Sequence, residues 1–340
     1  MTIAQLDLSR EPEFRALIDG KAKPPGSLGR IEDLAVQLAL IADRPNPEGE
    51  YALLLVFAGD HGLTESGVSA YPSEVTTAMV ATFLADRASA SAFARAAGAK
   101  VRVVDAGVAS DLPEHERLIQ AKVRKGTRNA AIEPALTPQE VEQALEHGAR
   151  IARDVAAEGF DILMLGEMGI GNTASAALIM HRLAPAPLDA CIGQGTGHTP
   201  DGMARKRAAI QQAADRSDAK APLDVLAHFG GLEIVMMAGA ILGSAQARRP
   251  VVIDGFICTA AALAAVRIEP AVRDYLIFAH RSAEHGHTLM LEALDARPLL
   301  DLDMRLGEGT GALLALPIIR AAARLLTDVA SLDDVMAGRL

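Results

Sequence analysis

The sequence predicts an α/β protein with a mostly parallel sheet and helices on both of its faces. Three observations carry this prediction. Half of the 340 residues are hydrophobic, yet only 3% are aromatic and none is Trp, so Ala, Leu and Val must fill closely packed layers. Continuous apolar runs at residues 51–58, 101–106, 161–165, 188–192, 251–257 and 275–279 fit strands covered on both faces. Helical patterns separate these runs, and several runs end in glycine-rich turns. In an open α/β sheet the ligand site lies beyond the carboxyl ends of the strands, so many such turns on one edge predict a broad site built from loops.

Taken in order, the first run ends in Gly59-Asp60-His61-Gly62. Asp60 there either stabilises the turn or pairs with His61 as acid and base. The run 101–106 ends at Gly107. A helix then begins at Thr137-Pro138-Gln139-Glu140: Thr137 can cap, Pro138 suits the first helical position, and Glu140 completes a capping box. The run 161–165 opens into Gly166-Glu167-Met168-Gly169-Ile170-Gly171-Asn172-Thr173 and an alanine-rich helix toward Met180. A glycine-dense strand-to-helix turn offers backbone N–H groups and a helix N-terminus to an anion. Against the pattern G-x-x-x-x-G-K-[ST], it matches at Gly166, Gly171 and Thr173 but has Asn172 in place of the lysine. Lacking that cation, the cradle suits a single phosphate better than a triphosphate.

The same turn also fits G-x-G-x-x-A, with Asp189 about twenty residues on, as in an NAD(P)-dependent reductase. A nucleotide-binding protein without catalysis is a further alternative. The segment 193–197, which contains Gly193, Gly195 and Gly197, precedes Arg205-Lys206-Arg207; this triplet is a phosphate partner or a solvated helix face. His280, His285 and His287 with Glu284 lack metal-site spacing and read as a satisfied structural cluster. Met164, Met168, Met236 and Met237 read as core filler. Near the C-terminus, Leu306-Gly307-Glu308-Gly309-Thr310-Gly311 precedes a helical run over 312–326. Glu308, between two glycines, either complements a helix N-terminus or serves as a catalytic base.

The net charge of −10 argues against nucleic acid as a partner. Cys191 and Cys258 lie in apolar runs and read as buried thiols of a reducing compartment. The first residues show no signal-peptide pattern, and apolar stretches such as 312–319 are shorter than the ~20 residues a bilayer requires. A cytoplasmic protein with no membrane partner, metal or cofactor is expected.

Several motifs then stand together: Lys23-Pro24-Pro25-Gly26-Ser27-Leu28-Gly29-Arg30, Gly59-Asp60-His61-Gly62, Ser69-Ala70-Tyr71-Pro72, the segment 166–173, Phe229-Gly230-Gly231-Leu232-Glu233 and the segment 306–311. In this order they resemble the nicotinate-nucleotide:dimethylbenzimidazole phosphoribosyltransferase family, over residues 22–326. The resemblance implies transfer of phosphoribose from nicotinate mononucleotide to 5,6-dimethylbenzimidazole, giving α-ribazole 5′-phosphate and nicotinate in cobalamin biosynthesis. It implies a Rossmann-like domain over 25–300, a small helical domain from 1–24 with 301–340, and a homodimer with its site near the subunit interface.

By position, the resemblance makes Glu308 the base, and Gly171, Asn172, Thr173, Gly195, Gly197 and Lys206 the phosphate holders. It favours the phosphate role for the basic triplet. Glu167, Asp254 and Gly307 border the substrate as supporting loop residues, and Ser69, Tyr71, Pro72 and Met79 form the wall of the base pocket. Two positions depart from the family pattern. Ala78 stands where Gln is common before Met79, and Asp86-Arg87 where a Gly-Gly pair is usual. Loss of the amide at Ala78 bears on base preference, so a pocket that accepts several benzimidazoles is expected.

Overall fold

The computed structural model describes residues 3–184, 186–193, 197 and 199–339. The chain opens with helices α1 (Glu11–Asp19) and α2 (Arg30–Ala42) before strand β1 (Ala52–Gly59). Helices α3 (Glu74–Leu84) and α4 (Ser89–Ala97) lead to β2 (Lys100–Gly107) and the short β3 (Leu118–Gln120). Helix α5 (Pro138–Ala157) starts at the expected capping box, with Thr137 and Glu140 each accepting the other's backbone N–H. Strand β4 (Ile162–Met168) feeds α6 (Asn172–Leu183), followed by α7 (Leu188–Cys191), α8 (Pro200–Arg216), α9 (Pro222–Phe229) and α10 (Leu232–Gln246). The remainder is β5 (Val251–Ile253), α11 (Phe256–Ile268), β6 (Leu276–Phe278), β7 (His280–Arg281), α12 (His287–Ala293), β8 (Leu300–Asp301), α13 (Thr310–Thr327) and α14 (Leu332–Met336).

The main sheet runs β3-β2-β1-β4-β5-β6, and every pairing in it is parallel. This is the doubly wound order in which the winding direction reverses between β1 and β4, and a crevice opens at their carboxyl ends. Helices flank the sheet: α10 lies on β1, β2 and β4, α13 on β4, and α4 on β2. All eight residues of β1 are buried, as continuous apolar runs require in a two-sided sheet. β7 and β8 form a second, two-stranded parallel sheet.

Two strand expectations are corrected. The run 188–192 begins as helix α7: Pro187 precedes it, and a short apolar run cannot by itself distinguish a strand from a helical turn. The run 251–257 is a strand only to Ile253, because Asp254-Gly255 breaks it and Phe256 starts α11. β3 was not foreseen. β4 also continues through Gly166, Glu167 and Met168, so the turn proper is Gly169-Ile170-Gly171. Gly166 is therefore a strand residue, and a Cβ there would lie 2.6 Å from the Glu308 carbonyl oxygen.

Glycine also sets the closest helix pairing. A Cβ at Gly148 of α5 would collide with the Met236 carbonyl of α10, and Cβ atoms at Gly239 and Gly243 with the carbonyls of Leu145 and Ala149. Helix α13 is long and apolar enough to cross a membrane by length and composition, unlike the shorter stretch read from the sequence. It is a core helix here, 61% buried and packed on α2 and α4. The chain ends meet, with Lys21 Nζ donating to the carbonyls of Leu326 (2.6 Å) and Val329 (2.8 Å), and the Leu332 N–H to Gly20 (2.9 Å).

Candidate active site

Beyond the carboxyl ends of β4 and β5 lies a cavity of about 390 Å³. Its size fits a small-molecule ligand. Tyr71, Val75 and Met79 form an apolar wall, Met168 to Ile170 with Asn172 and Thr173 line one side, and Asp254 to Cys258 and Arg305 to Glu308 close the other.

The loop after β8 carries three consecutive residues of positive φ: Gly307 (86°), Glu308 (63°) and Gly309 (83°). Only Glu308 has a Cβ to strain in that region. Its neighbours cannot carry one: a Cβ at Gly307 would strike the Glu167 carboxylate and one at Gly309 would strike Leu54. Asp254 ties the loop down, its carboxylate accepting from the Gly309 N–H (3.1 Å) and the Ala312 N–H (2.9 Å) at the start of α13. The Ala90 N–H donates to Glu308 Oε2 at 3.3 Å.

Three buried carboxyl groups thus share one wall. Burial, then the neighbouring Asp254 charge, pushes Glu167 up to about 8; the amide of Asn172 donates to it and pulls the other way. Burial raises Asp254 to about 7, against its backbone donors. Burial also raises Glu308, with the Ala90 N–H opposing.

Next to Glu167, α6 begins at Asn172 with Gly171 as N-cap (φ 93°) and no side-chain cap; the Asn172 and Ala174 N–H groups donate to the carbonyls of Gly169 and Gly171 (3.1 Å each). Lys206, buried, donates to Thr173 Oγ1 (3.3 Å) and to the Gly193 carbonyl (3.0 Å). Burial lowers its pKa, and the Glu284 charge opposes that. A buried ammonium thus stands one hydroxyl away from the N-terminus of α6.

A family model described as Phosphoribosyltransferase matches residues 3–336. The chain belongs to this phosphoribosyltransferase family. The Cupriavidus necator protein named nicotinate-nucleotide–dimethylbenzimidazole phosphoribosyltransferase is 49% identical to it over 331 residues, covering 97% of this chain and 95% of that protein. The Vibrio cholerae protein of the same name is 45% identical, over 97% of this chain and 98% of its own. A crystal structure of the nicotinate-nucleotide–dimethylbenzimidazole phosphoribosyltransferase of Thermus thermophilus superposes with a TM-score of 0.91 at 45% identity, covering 98% of this chain and 99% of that one.

In this phosphoribosyltransferase fold, Tyr71, Met79, Glu167, Asn172, Thr173, Asp254, Gly307 and Glu308 meet around one cavity. Gly171 caps the helix at its edge, and Lys206 reaches it through Thr173. Ser69 and Pro72 do not line it; the Ser69 hydroxyl accepts from the Tyr71 N–H (3.1 Å) and so shapes the turn behind that ring. Gly197 is exposed with open space around it, and Gly195 lies outside the described residues. Ala78 is exposed and does not line the cavity.

His287 is satisfied at both nitrogens, by the Ser282 N–H (2.7 Å) and the Thr259 hydroxyl (2.9 Å), and among the described residues no acidic, His or Cys group is arranged to hold a metal. Asp60 accepts from the Ala109 N–H (2.8 Å), a turn-stabilising role. Sequence reasoning assigned no role to Glu233, which is buried against His61 at 2.7 Å beneath Gly59, Gly169 and Gly231. Its only signal was its place in the motif at 229–233. Asp189, the acid of the dinucleotide pattern, is an exposed residue paired with Arg207 at 2.6 Å.

Proposed function

We propose that this enzyme transfers phosphoribose from nicotinate mononucleotide to 5,6-dimethylbenzimidazole or a related base, forming α-ribazole 5′-phosphate and nicotinate. The observation that carries the reading is Glu308, a carboxylate held by a strained loop in the wall of a cavity that Asn172 and Thr173 at the start of α6 also line. The pyridinium of the donor is already cationic, so the C1′–N bond breaks with its electron pair staying on nicotinate and needs no acid. An unprotonated ring nitrogen of the benzimidazole bonds to C1′ from the opposite face, which turns the β linkage into α. The proton on its other nitrogen becomes acidic and passes to Glu308. Positive charge gathers on the ribose, and the acidic wall of Glu167 and Asp254 favours it. A cation there also draws their raised pKa values back down.

The 5′-phosphate binds at Gly171, Asn172 and Thr173 with Lys206, supported by the uncapped first turn of α6 and the buried ammonium beside it. The benzimidazole stacks against Tyr71 and Met79. Two smaller proposals accompany this one. The chain ends form a small helical domain, supported by the Lys21 and Leu332 bonds that join them, and the working form is a cytoplasmic homodimer.

Incubation of the protein with nicotinate mononucleotide and 5,6-dimethylbenzimidazole, with products resolved by mass and retention, tests the reading. Wild type is expected to make α-ribazole 5′-phosphate, and Glu308→Gln to lose about 10²–10⁴-fold in kcat while folding normally. Equal turnover by both would remove Glu308 as the base. Nicotinate release without a ribosylated benzimidazole would remove the transfer.

A further inference from the structure

The Glu308 carboxylate is met by the first turn of α4, 218 residues away in the chain, where the Ala90 N–H donates to Oε2 between two buried residues. The N-cap residue of that helix supplies no side-chain cap of its own. Ala88 stands at its N-cap position in extended conformation (φ −75°, ψ 164°), the geometry a capping residue adopts, but without an oxygen to offer. First-turn N–H groups have no partner within their own helix. Glu308 therefore does for α4, from the cavity wall, what a capping Ser or Asp does elsewhere.

Both ends of the bond are anchored. Asp86 turns the chain ahead of α4 at φ 62°, and its carboxylate binds Arg95 (2.8 Å) and Arg117 (3.3 Å). α4 packs on α13, which begins two residues after Glu308.

We propose that Ala90 is a positioning residue for the base: its backbone N–H, at the N-terminus of α4, aims the Glu308 carboxylate and favours its ionised form. This rests on the reading of Glu308 as the base. Burial disfavours that ionised form, and the Ala90 bond opposes the burial. The titratable and charged groups around the same loop are Glu167 on β4, Asp254 after β5, His280 on β7 beside Asp254 (3.7 Å) and Arg305 of the loop itself; the first turn of α4 adds only Ser89, Ala90 and Ser91.

Ala88→Ser separates positioning from mere support. A serine at the N-cap accepts first-turn N–H groups itself and competes with Glu308 for Ala90. The expected variant melts no lower than wild type, yet has a kcat at least about threefold lower on the acid side of the optimum. The rising limb of its pH–kcat profile moves up by about half a pH unit, because a carboxylate that loses a donor holds its proton to higher pH. If the contact only supports the fold, Ala88→Ser gives wild-type kinetics, and that result overturns the proposal. Ala90→Pro, which deletes the N–H at a position without an intrahelical acceptor, is the second variant, with the same expected limb shift. Should wild type turn nothing over, the functional reading fails by itself. The carboxyl of Glu308 is then titrated by ¹³C NMR in wild type and Ala88→Ser: an upward shift in the variant supports the proposal, and coincident curves overturn it.

Discussion

Three left-handed residues in succession place Glu308, and the two that flank it are glycine because a Cβ there would strike Glu167 or Leu54. Glu167 shows the cost of such a wall. In the unfolded chain Glu167 and Asp254 ionise near their ordinary 4.5 and 3.8, whereas in the folded protein they hold their protons to about 8 and about 7. Between those values the folded state binds more protons than the unfolded one, so stability falls as pH rises through that window. Glu167→Gln keeps an oxygen for the Asn172 amide and discards the charge. Its urea-denaturation free energy is expected to vary less with pH than that of wild type and to exceed it above about pH 8; equal pH dependence would show that Glu167 is not the source. At this scale the sequence revealed residues held within one motif, such as Asn172, Thr173 and Glu308. It was silent on Ala90 and on the His61–Glu233 pair, whose meaning arises only when segments far apart in the chain meet.

Elements were legible where local chemistry decides them. The capping box at Thr137 and Glu140 and the apolar run of β1 depend on neighbours in sequence, and both stand as expected. The run 188–192 misled because alternation and length carry no information over five residues, and β3 escaped because three residues beside His115, Glu116 and Arg117 show no apolar run. The contact of α5 with α10 was equally hidden, since isolated glycines inside helices look like mere defects. Their backbones approach so closely that Gly148→Ala must drive a methyl into the Met236 carbonyl. A loss of about 1–3 kcal/mol is expected by denaturant unfolding. An unchanged midpoint would mean that the two helices separate at little cost.

For the whole molecule, the strand order determines where the site can be. The reversal between β1 and β4 gathers loops from well-separated stretches of sequence onto one edge, as the run of glycine turns implied. What no pattern of residues announced is the number of chains in the working particle. Light scattering of the purified protein is expected to give about twice 35.6 kDa; a mass near 35.6 kDa would withdraw the homodimer.

The position of Tyr71 on the cavity wall has a practical consequence. The chain contains no tryptophan and only three tyrosines, of which Tyr275 is wholly buried and Tyr51 belongs to no part of the cavity. The protein is thus optically quiet, and a single indole exchanged for the ring at position 71 would fluoresce without background from within the pocket wall, reporting occupancy before any bond is made or broken.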